Sequence, residues 1–308
     1  MSASNPLVAY FAHDARETTV RKRLAAWRRA GARTLAFAFR RSQAERTGPP
    51  GEYVLLGVTA DRAYLRRLPA LGLGLARALR RGRALRAADM IQARNPDMLA
   101  LAAIARRLSR ARAPLVYEAL DIQPAMLGTG RAGRALRGAE RRLLRETDLL
   151  VVSSPDFIHE YFAPRLGYDG PWRLLENKLP AEAAPQGPTE GPPPGPPWII
   201  GWFGVLRCIG SLETLLRLAD ALGSAIEIRL AGRLSTRDIS EARLEKALEG
   251  RPPLRFDGPY RSPEDLPRLY GGVHFAWGVD ETDAGANSDW LLPNRLYEAG
   301  AHGAPLLA

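Results

Sequence analysis

Residues 291–308 read LLPNRLYEAGAHGAPLLA, and the reading of the whole chain turns on them. Pro293 presets the backbone for a first helical turn, so the spacing predicts a helix over Pro293–Ala301. Gly300 and Gly303 allow close backbone approach, and PLLA, residues 305–308, opens a strand. A helix begun this way aims backbone N–H groups at whatever precedes it, which suits a diphosphate. Glu298, one to two turns inside, can accept hydrogen bonds from two neighbouring hydroxyls, as on a ribose; it can also sit on the solvated face of an ordinary amphipathic helix.

The same alternation runs back through the chain. Trp198–Phe203 (WIIGWF), Glu227–Ala231, Leu254–Phe256 and Val273–Trp277 read as strands, with helices over Ser211–Leu222, Ser240–Leu248 and Pro263–Tyr270 between them, the last capped by Ser262. Earlier, Leu7–Phe11 (LVAYF), Thr34–Phe39, Tyr53–Val58, Ala88–Ala93, Leu115–Leu120 and Leu149–Ser153 are strands. Helices over 15–30, 98–111 and 133–146 separate them, the first capped by Asp14 and closed by Gly31. Strands alternating with helices of 10–15 residues imply βαβ units and parallel sheets. Between the halves, residues 181–197, AEAAPQGPTEGPPPGPP, hold almost nothing that builds a core and read as a semi-rigid connector. The expected organisation is a first domain over 1–180, this linker, and a second domain over 198–308: two doubly wound Rossmann-like domains facing a cleft. Ligands in such sheets bind beyond the carboxyl ends of the strands.

Composition narrows the function. The chain has 308 residues, 46% of them hydrophobic, enough for two medium cores. Cys208 is its one cysteine, no secretory signal pattern opens it, and no apolar run reaches about 18 residues. A disulfide scaffold and a spanning helix are excluded, and a reducing cytoplasm is the expected compartment. One cysteine with four scattered histidines excludes a Cys/His zinc site. The net charge of +11 is uneven: residues 1–178 carry +16 and the remainder −5. Only Lys22, Lys178 and Lys246 are lysines, a bias that a GC-rich genome also produces, although such a bias does not place the excess in one half. A nucleic-acid partner is not expected, because no binding motif and no aromatic interleaving accompany the basic run.

LPNRLYEAGAHGAPLLA resembles the distal half of the nucleotide-sugar signature of GT-B fold glycosyltransferases. It is most similar to glycosyltransferase family 4 and the related exopolysaccharide enzymes. In that family the second glutamate of an E-x7-E motif contacts the donor ribose, and Glu298 matches it. The first glutamate falls at Trp290, with Asp289 adjacent but out of register. IGWFGVLRCIGSLETLL (200–216) resembles the first strand, loop and helix of the donor domain. Ile209 stands at the family's lysine, before Gly210, and Arg207 can supply the charge for a diphosphate. IRLAG (228–232) and LRFDGPY (254–260) resemble the next strands, with Arg233 a further phosphate candidate, and residues 265–270 match the short helix before the signature. The resemblance also marks Asn294 and Arg295 for donor binding.

In the first half, VAYFAHDARETTVRKR (8–23) resembles the opening strand and helix of the acceptor domain. It makes His13 and Asp14 candidates for catalysis, although a lone histidine is more often structural. DMIQARNPD (89–97), VYEALD (116–121), LLVVSSP (149–155) and LLENK (174–178) follow in the family's order. Leu120-Asp121 stands where the family often has His-Asp, and Lys178 replaces its glycine after Asn177. Asp121 is a further catalytic candidate and Glu118 an acceptor contact. The resemblance implies a retaining, metal-independent transfer from a nucleotide-sugar to a saccharide or lipid-linked acceptor, needing no cofactor. It also implies a donor domain that continues past Ala308, so the second domain is expected to be incomplete. An inactive scaffold on this fold, or one that binds sugar nucleotides, is the alternative.

Two further stretches are weaker. Gly72–Gly74 fails as a dinucleotide fingerprint, since no strand precedes it and Arg77 fills the third glycine's place. Asp280 and Asp283, in VDETD, read as solvated rather than metal-binding. YLRRLPALGLGLARALRRGRALR (64–86) is too short to span a bilayer. It reads either as a helix packed on the sheet with a basic outer face, or as one lying in an anionic membrane surface at the inner face of the cytoplasmic membrane.

Overall fold

The computed structural model describes residues 5–15, 17–40, 52–58, 64–185 and 191–308. The chain forms two compact units, Met1–Glu176 and Asn177–Ala308. The proline-rich stretch at 181–197 thus falls within the second unit's range, and its last residues lead directly into a strand.

The first unit is built on seven parallel strands: β1 (Leu7–Ala12), β2 (Arg33–Arg40), β3 (Glu52–Val58), β4 (Met90–Arg94), β5 (Leu115–Ala119), β6 (Leu149–Val152) and β7 (Trp172–Leu174). Their order is β3-β2-β1-β4-β5-β6-β7. β1 and β5 are buried along their whole length, as continuous apolar strands covered on both faces must be. Phe11 and Phe37 stack across β1 and β2 at 4.6 Å. The strand order reverses between β1 and β4, which makes that boundary the switch point of the sheet, beside which ligands bind in folds of this kind.

The second unit holds five parallel strands: β8 (Trp198–Leu206), β9 (Ile226–Leu234), β10 (Leu254–Phe256), β11 (Phe275–Trp277) and β12 (Leu306–Leu307). The order β10-β9-β8-β11-β12 repeats the arrangement of the first unit's first five strands, with the switch between β8 and β11. Helix Ile209–Leu222 buries Leu212, Leu215 and Ala219, one helical stripe, against Trp202, Ile228 and Leu230 of the sheet. The opposite face packs Ile199, Phe203 and Ala231 against Leu266, Leu269 and Ala299.

Several helix starts differ from the sequence reading. The first helix begins at Thr18 with Glu17 at its N-cap, while Asp14 is buried at the end of β1. Pro293 occupies the N-cap position, not the first turn, of helix Asn294–Ala301. The stretch at 64–86 is two helices, Tyr64–Leu79 and Gly82–Arg86, and the longer packs on β3, where Arg77 donates to the Leu56 carbonyl at 2.9 Å. Residue 262 does not cap the helix after it, which starts at Leu266.

Candidate functional site

In the second unit the strand ends at the switch point bear the candidate donor residues. Gly204 on β8 and Gly232 on β9 are adjacent, with φ of +117° and +133°. A Cβ on Gly232 would collide with the Gly204 carbonyl, so the two backbones meet where only glycine fits. Beyond them β8 runs to Leu206, and Arg207 follows. Its Nε and Nη2 both donate to Asp280 Oδ2, at 3.0 and 2.9 Å. Asp280 Oδ1 accepts from the Thr282 N–H and hydroxyl, at 3.1 and 2.5 Å. Burial pushes the Asp280 carboxyl up, but Thr282 and Arg207 outweigh it and hold it below the usual carboxylate range. The expectation that Asp280 is merely solvated is therefore corrected: it is the ion-pair partner of Arg207.

Cys208 caps helix Ile209–Leu222, its Sγ accepting from Ser211 N–H and from Glu281 N–H, each at 3.3 Å. Ser211 Oγ donates to the Val279 carbonyl at 2.8 Å. The root of the 279–283 loop is thus fixed to the start of this helix. Gly210 leaves room for the loop, since a Cβ there would stand 2.5 Å from Glu281 Oε2.

Glu298 is 7% exposed and accepts from the Tyr270 hydroxyl at 3.1 Å. The solvated-face alternative for Glu298 does not hold. Burial first, then the nearby Glu298 charge, pushes the Tyr260 and Tyr270 phenols up. His302 Nδ1 lies 2.7 Å from the Glu298 carbonyl, and its ring stacks on Tyr270. One turn earlier, Arg295 Nε lies 3.7 Å from where a Cβ on Gly204 would stand, and its Nη1 is buried with no hydrogen-bond partner among the described residues. Asn294 is exposed at the helix start. Arg233 is also exposed and lies inside β9, paired with Val205, rather than after the strand. Arg207 and Gly210 follow the end of β8, Arg295 reaches Gly204 on that strand, Glu298 lies one turn further along its helix, and Arg233 is on the neighbouring β9.

The first unit carries a polar cluster at the ends of β1, β4 and β5. Glu118, 1% exposed, accepts from Tyr10 Oη at 2.9 Å, Gln92 Nε2 at 2.7 Å and Arg23 Nε at 2.9 Å, and pairs with Arg23 Nη2 at 2.8 Å. Both of its oxygens are enclosed by protein donors, so it ties three strands together instead of facing a ligand. His13 Nε2 stands 3.1 Å from Glu17 Oε2, and Asn95 Nδ2 is 3.2 Å from His13 Nδ1. The Asn95 amide thus faces Nδ1 and the Glu17 carboxylate faces Nε2, one on each side of the ring. Asn95 takes the left-handed conformation, φ +69°, to reach it. Arg94 closes the set, its Nη2 2.6 Å from Thr19 Oγ1 and 3.4 Å from Glu17 Oε1. Burial opposes ionisation of Glu17, but Arg94, His13 and Thr19 prevail and hold its pKa down to about 2. Asp121 is exposed past β5, and its charge helps to keep the Arg94 guanidinium protonated.

Sequence reasoning missed Arg94, Glu17 and Asn95. The signals were present as the Asn-Pro step ending β4 and the four-residue spacing of His13 and Glu17. Among the described residues no group of three or more His, Cys, Asp or Glu side chains is placed to hold a metal ion.

The model of the glycosyl transferase 4-like domain matches residues 16–178, more than half of the chain. The chain belongs to that family. This glycosyltransferase is 40% identical over 302 residues to the succinoglycan biosynthesis protein ExoL of Rhizobium meliloti (strain 1021), covering 96% of the chain and 74% of the relative. Among solved structures it is similar to Anabaena Alr3699/HepE in complex with UDP and glucose, with TM-score 0.65, 16% identity, and 99% and 80% of the two chains covered. It is also similar to the apo form of the lipopolysaccharide outer core galactosyltransferase WaaB, with TM-score 0.63, 13% identity, and 97% and 79% covered. At these identities the likeness is one of fold, and the fold is GT-B.

Proposed function

We propose that this glycosyltransferase acts in exopolysaccharide synthesis. It takes a sugar from a nucleoside-diphosphate sugar held by the second unit and passes it to a saccharide or lipid-linked saccharide held by the first. The observation that carries the donor reading is Arg295: a buried N–H without a partner among the described residues, beside backbone cleared of side chains at Gly204. A diphosphate oxygen satisfies such a group. Glu298, next along the helix, takes the ribose hydroxyls, and Arg207 stands at the adjacent strand end. The name of ExoL and the UDP-glucose complex of HepE support the pathway and the donor class.

In the transfer, the bond from the anomeric carbon to the diphosphate oxygen breaks and a bond to an acceptor hydroxyl oxygen forms. The hydroxyl proton leaves with the phosphate or to a base. Negative charge grows on the diphosphate, and Arg295, Arg207 and the start of helix Asn294–Ala301 stabilise it from fixed positions. We take the transfer to retain the anomeric configuration and to need no metal ion, the arginines supplying the charge. His13, seated by Glu17 and Asn95, and the exposed Asp121 face the acceptor in this reading, and Asp14, buried just past β1, is the third candidate there.

No helix among the described residues is long and apolar enough to cross a membrane. A lipid-linked acceptor would bring the enzyme to the inner face of the cytoplasmic membrane as a peripheral protein. The test is calorimetric titration with UDP-, GDP- and ADP-sugars. One base binds, Glu298→Ala weakens it by about 10- to 100-fold, and EDTA changes neither binding nor turnover. No binding of any nucleotide sugar overturns the donor reading, and loss of turnover in EDTA overturns metal independence.

A further inference from the structure

The candidate phosphate end of the second unit is lined with negative as well as positive charge. Asp280 lies on Arg207, and Glu281 lies against Gly210 at the start of helix Ile209–Leu222. We propose that Asp280 and Glu281 are specificity residues that make the donor site prefer a sugar-bearing diphosphate over the free nucleoside diphosphate, and so drive product release. The inference rests on the donor reading above.

Asp280 is held from one side by Thr282 and from the other by Arg207, so all of its acceptor positions have assigned donors. The loop root is tied to the helix start by Cys208 and Ser211, through bonds that involve no charge. Asp280 is therefore a standing charge at this place, held by bonds that do not depend on a ligand, and Glu281 is anchored beside it through its backbone N–H. Glu281 is exposed, with a carboxylate oxygen lying beside Gly210 in the first turn of the helix.

A nucleoside-diphosphate sugar carries two negative charges, because its terminal phosphate is esterified. Once the sugar has left, the terminal phosphate has a second ionisation with pKa about 6 and carries the extra charge at neutral pH. Arg207 is already neutralised in part by the Asp280 charge, so it does not offset that third charge in full. One added charge some 6 Å from a fixed carboxylate, at an effective dielectric between that of a protein surface and water, changes affinity by about three- to tenfold. The same carboxylates cost the donor less, so the ratio of the two affinities is what they set. A free diphosphate that held too tightly would stall turnover.

A rival role is possible for Asp280 alone, that of holding Arg207 in position for the ligand. The two roles predict opposite signs. Full-length wild type, Asp280→Asn, Glu281→Gln and the double variant are titrated with UDP and UDP-glucose, or with the pair for whichever base binds. Product inhibition by the free diphosphate is measured in parallel. Each single substitution tightens both ligands and raises the affinity for UDP relative to UDP-glucose by about three- to tenfold. The double variant shows the larger change, inhibition by UDP deepens, and the differences shrink as salt rises. An unchanged UDP to UDP-glucose ratio, or equal weakening of both ligands, overturns the inference while leaving the donor site intact. Glu281→Gln keeps it falsifiable if Asp280→Asn lowers stability, since Glu281 pairs with no cation among the salt bridges of the described residues. A wild type that binds neither nucleotide overturns the donor reading and this inference with it.

Discussion

Arg94 is 1% exposed, and a guanidinium so placed is stable only among carboxylates and hydroxyls. Glu17, Glu118 and Asp121 hold its charge against burial, and in return it keeps Glu17 ionised. The sign of the pH effect follows. A carboxyl depressed to about 2 contributes stability above its ordinary 4.5, and that contribution is lost as pH falls through this window. Thermal melting between pH 5 and pH 2.5, followed by circular dichroism, therefore falls less steeply in Glu17→Gln than in wild type. Equal slopes would show that the Glu17–Arg94 contact is not formed. Arg94→Met leaves Glu17 without its cation and costs about 3–5 kcal/mol, seen as a lower midpoint in urea at pH 7. The residue types here were visible in the sequence, but their company was not: Arg94 and Thr19 are 75 positions apart, and no local spacing links them.

At the scale of elements, β8 and β9 close on each other through Gly204 and Gly232. Gly232→Ala puts a methyl group into the Gly204 carbonyl at a positive φ. The cost is about 3 kcal/mol or more, a fall in melting temperature of upwards of about 6 °C. Arg295 also shifts with β8, so donor binding weakens beyond what stability alone explains. Calorimetry on folded Gly232→Ala protein at 10 °C checks this, and unchanged affinity would separate the glycine pair from the site.

Helix Arg131–Leu144 shows a different compromise. Its inward stripe includes Glu140, which accepts from Tyr117 and Tyr161 hydroxyls at 2.7 and 2.6 Å, while burial pushes its own carboxyl up. Glu140→Leu strands two hydroxyls, each fully buried or nearly so, and costs about 2–4 kcal/mol. Glu140→Gln keeps an acceptor and costs less, and denaturant midpoints at pH 7 give the order. A spacing rule reads this helix correctly to within two residues, yet places no meaning on a glutamate facing inward.

At the scale of the whole molecule, the charge is divided as the composition foretold, with the excess of arginine in the first unit's sequence. There helices Tyr64–Leu79 and Asn95–Ser109 pack together and leave Leu73, Ile104 and Leu108 exposed, with Arg80, Arg83 and Arg107 also outward. Exposed apolar side chains and arginines on two packed helices suit an anionic bilayer surface. In cosedimentation, the chain binds vesicles rich in phosphatidylglycerol at about 50 mM salt and is released at about 500 mM. It does not bind phosphatidylcholine vesicles at either. Failure to bind the anionic vesicles at low salt would remove the membrane from the proposed function.

The sequence by itself determined the alternation of strand and helix and the helix that carries Glu298. These depend on local periodicity and on proline and glycine, whose effects act within a turn or two. Only the tertiary structure decided that Glu298 is buried under Tyr270, that Arg207 meets Asp280 73 positions away, and that His13 sits between Glu17 and Asn95. In both sheets the chain reverses beside its first strand, so residues far apart in sequence become neighbours at the strand ends. Spacing along a chain carries no record of which strand ends will adjoin, and the charges that meet there are set by that adjacency alone.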